Sequence, residues 1–135
     1  LFLDVIRTVL ERRKWADINS IQCLIVYNIG YSKLTVGEIS NRGYYLGSNV
    51  TYNLKKMVEN GYLIQEQAIH DKRSSHIILS EKGKEVYKMM EELLDHHLEN
   101  LPRNQIALED VQQVHQMMLR LEHFWNFLAT RDQRF

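Results

Sequence analysis

The stretch from Ser48 to Leu79 constrains this chain more than any other, because the spacing of its apolar residues changes along its length. From Ser48 to Asn60, Val50, Leu54, Met57 and Val58 recur at intervals of three and four, which predicts a helix with one buried face. Ser48 has the short oxygen-bearing side chain of an N-cap, and Gly61 stands where a helix ends in the left-handed conformation. From Tyr62 to Ile69 the pattern is extended. His70-Asp71-Lys72-Arg73-Ser74-Ser75 supplies turn chemistry and positive charge, and His76-Ile77-Ile78-Leu79 is a second short β-rich run.

Helix, strand, basic loop, strand is the order of a winged helix. With Val50, Leu54, Met57 and Val58 turned inward, Ser48, Asn49, Thr51, Tyr52, Lys55 and Lys56 project outward or flank that side. Short polar groups near the helix N-terminus suit base edges in a major groove, and lysines further along suit phosphates. A polar helix face alone is equally compatible with plain solvation. The basic hairpin tip a fixed distance downstream turns the reading toward duplex DNA.

Further pieces join these. Glu38-Ile39 falls in a short preceding helix, Val50-Thr51 opens the next, and Asn60-Gly61-Tyr62-Leu63 closes it. Asp71-Lys72-Arg73 occupies the loop, and Leu79-Ser80-Glu81-Lys82-Gly83 leads into the following helix. No piece is specific alone, but in this order and at these spacings the run from Thr35 to Tyr87 resembles the DNA-binding core of the MarR family of bacterial transcriptional regulators. Gly43–Val50 is similar to a subgroup, the LdtR-type regulators of alphaproteobacteria.

The resemblance implies a homodimer on a pseudo-palindromic duplex, with two Ser48–Asn60 helices in successive major grooves about 10 base pairs apart. It casts Asn49, Thr51 and Tyr52 as base contacts, although an arginine often stands in the family where Tyr52 stands here. Ser48, Lys55 and Lys56 would position the phosphate backbone; Lys72 and Arg73 would belong to the wing, with Arg73 entering a flanking minor groove. Asp71 would hold the hairpin tip rather than face DNA. The family also implies a pocket for a small aromatic or phenolic effector between the DNA-binding lobe and the dimer helices. Candidates are Cys23, Tyr27, Tyr31 and Thr35, with ordinary helix packing as the alternative.

With 135 residues, there is room for one domain with helical extensions. Seventeen Lys and Arg balance seventeen Asp and Glu, which by itself argues against a polyanionic partner. The distribution matters more. From Arg42 to His76 the basic Arg42, Lys55, Lys56, Lys72 and Arg73 outnumber Glu59, Glu66 and Asp71, whereas from Glu81 to Glu99 the acids dominate. So modest a basic face leans on dimerisation and groove contacts, and its binding weakens steeply with salt. A single cysteine excludes an internal disulfide and fits a reducing bacterial cytoplasm. No run is long and apolar enough to span a bilayer and no signal-peptide pattern is present, so no membrane partner is expected; the start at Leu1 rather than Met fits a trimmed sequence or a disordered leader, and nothing follows from it.

In the remaining chain, Phe2, Val5, Ile6, Val9 and Leu10 predict a helix to about Arg13, where Arg12, Arg13 and Lys14 suit the helix dipole or, alternatively, a phosphate. A second helix is expected over Asp17–Ile29, capped by Asp17, apolar nearly all round and ended by Gly30. Thr35 caps a short helix to about Asn41, with Glu38 completing a capping box. Tyr44 and Tyr45, in the turn that follows, would dock on the core or reach a phosphate. Glu81 to about Leu101 is a long helix, stopped by Pro102.

Leu108–Ala129 carries Val111, Val114, Met118, Leu121, Trp125 and Leu128 at intervals of three and four, flanked by Met117 and Phe124, close to a coiled-coil pattern. A small domain offers too little surface to cover such a face, so a second copy of the chain is the expected partner. The expected fold is therefore mainly α with a small β-hairpin wing. It is one domain over 1–135, with dimerisation helices at 1–29 and 84–130 around a winged helix-turn-helix core at 33–81.

Other chemistry finds less support. His96, His97, His115 and His123 invite a metal reading, but no HExxH or Cys-His set accompanies them, and adjacent residues on a helix point about 100° apart. His70 and His76 flank the wing and would face solvent, or phosphate when protonated. Cys23 reads as an inert buried thiol, with a redox sensor as the alternative. No phosphate loop or nucleophile elbow points to an enzyme, and no cofactor is implied. The other function class in play is a winged helix that holds a partner protein without reading DNA, for which the neutral charge speaks.

Overall fold

Ile6 and Leu10, one turn apart, are the buried stripe of α1 (Phe2–Arg13), which ends at Lys14 in the left-handed conformation. The structure, a computed structural model, describes residues 1–42, 50–67 and 75–131. The chain divides into two compact units, Leu1–Glu92 and Leu93–Phe135.

In the first unit, α2 (Ser20–Ile29) begins three residues later than its apolar pattern predicts. Asn19, not Asp17, is its cap. The Asn19 side chain accepts from the Gln22 N–H (2.9 Å) while the Gln22 side chain accepts from the Asn19 N–H (3.1 Å), a reciprocal box. Asp17 is drawn away by Tyr62 and Lys82, described below. The helix is buried as its composition requires, with Cys23, Ile25, Val26 and Ile29 in the core. It closes at Gly30, whose φ of 55° favours glycine.

Two residues then form β1 (Leu34–Thr35), a strand the sequence does not announce because a pair of residues has no period. It extends the expected hairpin to three antiparallel strands in the order β1-β3-β2. Thr35 still caps α3 (Val36–Arg42), accepting from the Glu38 N–H at 3.2 Å. α4 (Val50–Glu59) follows, then β2 (Leu63–Gln67) and β3 (Ser75–Leu79) in a register running from Leu63 opposite Leu79 to Gln67 opposite Ser75. Leu63, Ile77 and Leu79 face the core beside Ile39, Leu54 and Met57.

α5 (Glu81–Asn100) begins with Ser80 as its cap and buries Gly83, Val86, Met89 and Met90. The second unit holds the last turns of α5, a 3₁₀ turn at Pro102–Asn104 and α6 (Leu108–Thr130). Pro102 ends the preceding helix as predicted, and the Asp110 carboxylate accepts from the Ala107 N–H at 2.9 Å at the start of α6. Among the described residues no helix is long and apolar enough to cross a membrane.

Candidate nucleic-acid interface

α4 is seated by Leu54 and Met57, each less than 5% exposed, with Val50 and Val58 half-buried at the margins. The opposite side carries Thr51, Tyr52, Lys55 and Lys56, all exposed, as the spacing predicts. Thr51 and Lys55 lie one turn apart, as do Tyr52 and Lys56, so the four form a single outward patch. Lys56 pairs with Glu59 at 3.7 Å and stands 6.0 Å from the Tyr52 ring. Lys55 has no ion pair among the described residues, so its charge is fully available to an anion. Ser48, Asn49, Asp71, Lys72 and Arg73, with Tyr44, Tyr45 and His70, lie outside the described residues.

Sequence reasoning passed over what holds this helix in place. Asn53 is buried, and its Oδ1 accepts from the Nε2 of buried Gln22 at 3.1 Å. The signal was present, since Asn53 stands three after Val50 and four before Met57, on the buried face, and Asn19-x-x-Gln22 spells a capping box. At the far end, Asn60 Nδ2 donates to the Asp17 carbonyl (3.2 Å), and Lys82 Nζ donates to the Asn60 carbonyl (2.8 Å) and the Asp17 carboxylate (3.0 Å). The Tyr62 hydroxyl donates to the other Asp17 oxygen, and Lys82 sits 4.2 Å above the Tyr62 ring. The Tyr62 hydroxyl and then Lys82 hold the Asp17 carboxyl below its usual range, while burial and Asp17 push the Tyr62 phenol up.

The Leu-Ser-Glu-Lys-Gly hand-off acquires a physical reason here. Ser80 Oγ caps α5 by accepting from the Gly83 N–H (3.0 Å) and donates to the Gly61 carbonyl; Lys82 makes the clamp just described. Gly83 lets α5 pass so close to the Tyr62 carbonyl that a Cβ there would lie 2.1 Å from its oxygen.

Residues 16–74 match the model of the MarR family. Over 128 residues the chain is 31% identical to the exopolysaccharide II synthesis transcriptional activator ExpG of Rhizobium meliloti (strain 1021), covering 95% of this chain and 66% of that relative. Residues 16–74 thus belong to the MarR family. The chain is also 39% identical over 61 residues to the uncharacterized HTH-type transcriptional regulator YkoM of Bacillus subtilis (strain 168), covering 45% of this chain and 38% of YkoM. The chain thus spans somewhat under two thirds of ExpG and a smaller part of YkoM. Its fold is similar to that of Streptococcus pneumoniae FabT, solved in complex with DNA, at a TM-score of 0.74 and 19% identity, covering 94% of this chain and 89% of FabT.

The other candidate residues are placed as follows. Cys23 is fully buried, and burial pushes its thiol up to about 12. Tyr27 stacks on Tyr87 at 5.6 Å and Tyr31 meets the same ring edge-on at 5.1 Å, forming a partly exposed aromatic cluster; Thr35 is occupied in capping α3. The four effector candidates are therefore divided between core, surface and cap. On α6, Val111, Leu121 and Leu128 are half-buried, whereas Val114, Met118 and Trp125, with Met117 and Phe124 beside them, are each more than half exposed. Among the described residues no group of three or more His, Cys, Asp or Glu side chains is placed to hold a metal ion.

Proposed function

We propose that this chain is the duplex-reading part of a transcriptional regulator that binds a pseudo-palindromic operator as a homodimer. The observation that carries the reading is the polarity of α4: an apolar and amide seat on one side, and Thr51, Tyr52, Lys55 and Lys56 exposed on the other. Thr51 and Tyr52 meet base edges, and Lys55 and Lys56 meet phosphates. The same reading assigns DNA contact to Ser48, Asn49, Lys72 and Arg73 and wing support to Asp71, on the family resemblance of the sequence around them. FabT's DNA complex and the names of ExpG and YkoM as transcriptional regulators favour this reading. The uncovered apolar stripe of α6 supports the homodimer, since side chains of that size stay exposed at a cost that a second copy removes. A small aromatic effector would meet Tyr27 and Tyr31, which have exposed surface, rather than Cys23.

The test is fluorescence anisotropy on a duplex selected from random sequence by the protein, titrated across salt. Expected is a log–log slope of several charges, reduced by about one in Lys55→Ala. Binding that ignores salt, or needs a protein partner instead of DNA, would replace this reading with a winged helix used for protein contacts.

A further inference from the structure

We propose that Gln22 and Asn53 are positioning residues for DNA readout: their buried amide pair fixes the roll of α4 about its own axis, and so the direction of Thr51 and Tyr52. The inference rests on the DNA-binding reading and names what gives that surface its aim.

Leu54 and Met57 seat α4 through apolar contact, which has no preferred direction. Such contact sets the angle of the helix about its own axis less sharply than a hydrogen bond does. At a side-chain radius of about 5–6 Å, a roll of about 20° moves a tip by about 2 Å. That is enough to lose a hydrogen bond to a base edge, whose length tolerates only a few tenths of an ångström.

The amide pair is directional. Asn19's backbone N–H can only donate, so the Gln22 atom 3.1 Å from it is the oxygen Oε1. The other end of that amide is then the NH₂ group, and it is aimed at α4. Asn53 must present its oxygen, as it does at 3.1 Å. Each assignment follows from the one before, and the chain begins at a backbone group in the cap of α2. Gln22 and Asn53 are 7% and 9% exposed, too buried for water to replace the bond freely. Asn53 directly follows Tyr52, so a small shift at the bond is passed on to the reading face.

The short segment that aims Gln22 also grips the other end of the helix, through the Asp17 carbonyl on Asn60. Ser20 Oγ donates to the Leu3 carbonyl at 2.7 Å, tying α1 to the same segment. Residues 17–22 therefore join α1 to both grips on the recognition helix.

A double-variant cycle tests the proposal, with Gln22→Leu, Asn53→Leu and the pair together measured on the selected duplex and on random duplex. Losing the Gln22 half of the cap affects Gln22→Leu with or without Asn53, so it cancels in the cycle. The double variant removes both amide side chains together, and the Asn19 N–H loses its Gln22 acceptor in it just as in Gln22→Leu alone. Its preference for the selected duplex should fall at least tenfold, with random-duplex affinity and salt slope retained. An unchanged preference in the double variant, or equal losses on both duplexes, would overturn the proposal. If the parent protein prefers no duplex, the DNA-binding reading fails instead. The pin is then judged by amide hydrogen exchange over Val50–Glu59, and exchange no faster in the double variant would overturn that too.

Discussion

Gly83→Ala separates the local preference of a helix from the tertiary demand placed on it. In an isolated helix, alanine is favoured over glycine by about 1 kcal/mol. At position 83 the added Cβ would stand 2.1 Å from the Tyr62 carbonyl oxygen, 3.2 Å from its carbon and 3.4 Å from Leu79 Cβ. Since such contacts are not found under 3.0 Å, α5 and the entry to β2 must part by about 0.9 Å. The obstructing atom is backbone, so no rotamer change relieves it. Parting them strains the bond from the Ser80 N–H to that same carbonyl (3.1 Å) and the Lys82 clamp beside it.

Overpacking of this kind costs about 1–3 kcal/mol, and a weakened hydrogen bond about 1 more. After the propensity gain, a net loss of about 2 kcal/mol remains. Urea unfolding at fixed protein concentration reads it as a midpoint about 1 M lower, at the m-value of a chain this size. Gly37→Ala is the matched control. It too is helical, but among the described residues its Cβ would meet only Thr35 Oγ1, at 3.9 Å, so a gain of about 0.5 kcal/mol is expected. Two shifts of the same sign would refute the close-approach reasoning.

Asp17→Asn should flatten the acid limb of the stability profile. The folded carboxyl lies below its ordinary 3.8, so its contribution is present above that value and is lost as pH falls through the lower, folded one; a variant that unfolds in acid just as the parent does would show that the Tyr62–Lys82 clamp is idle. Cys23 should react with an aromatic disulfide at pH 8 on the order of a hundredfold or more slowly in the native protein than in urea. Above pH 9 the same burial lowers stability as pH rises toward about 12, and fast native labelling would place the thiol outside the core. Leu121→Glu or Trp125→Glu in α6 should yield monomers by sedimentation velocity, and a dimer that survives either charge would move the interface off this helix.

Much of the architecture is local, and local patterns survive in a sequence. Ile6 and Leu10, Leu54 and Met57, and the α6 stripe state their helices by spacing alone; Pro102 stops α5 by its missing N–H and its ring, and Gly30 closes α2 by taking a positive φ at little cost. The outward face of α4 was legible for the same reason: once one side is buried, a period of 3.6 assigns the other. What could not be read is pairing across distance. The β1 strand exists only because β3 arrives beside it, with Leu34 opposite Ile77.

Asp17, read as a helix cap, instead binds residues 45 and 65 positions away. Its charge and position near a helix start fit either role, and only the arrival of Tyr62 and Lys82 chooses between them. Asn53 had the right period but the wrong polarity for a core, until Gln22 supplied its partner. Periodicity is a property of one segment and so was determined by the sequence. The partner that satisfies a buried polar group belongs to the folded chain, and only tertiary structure decided it.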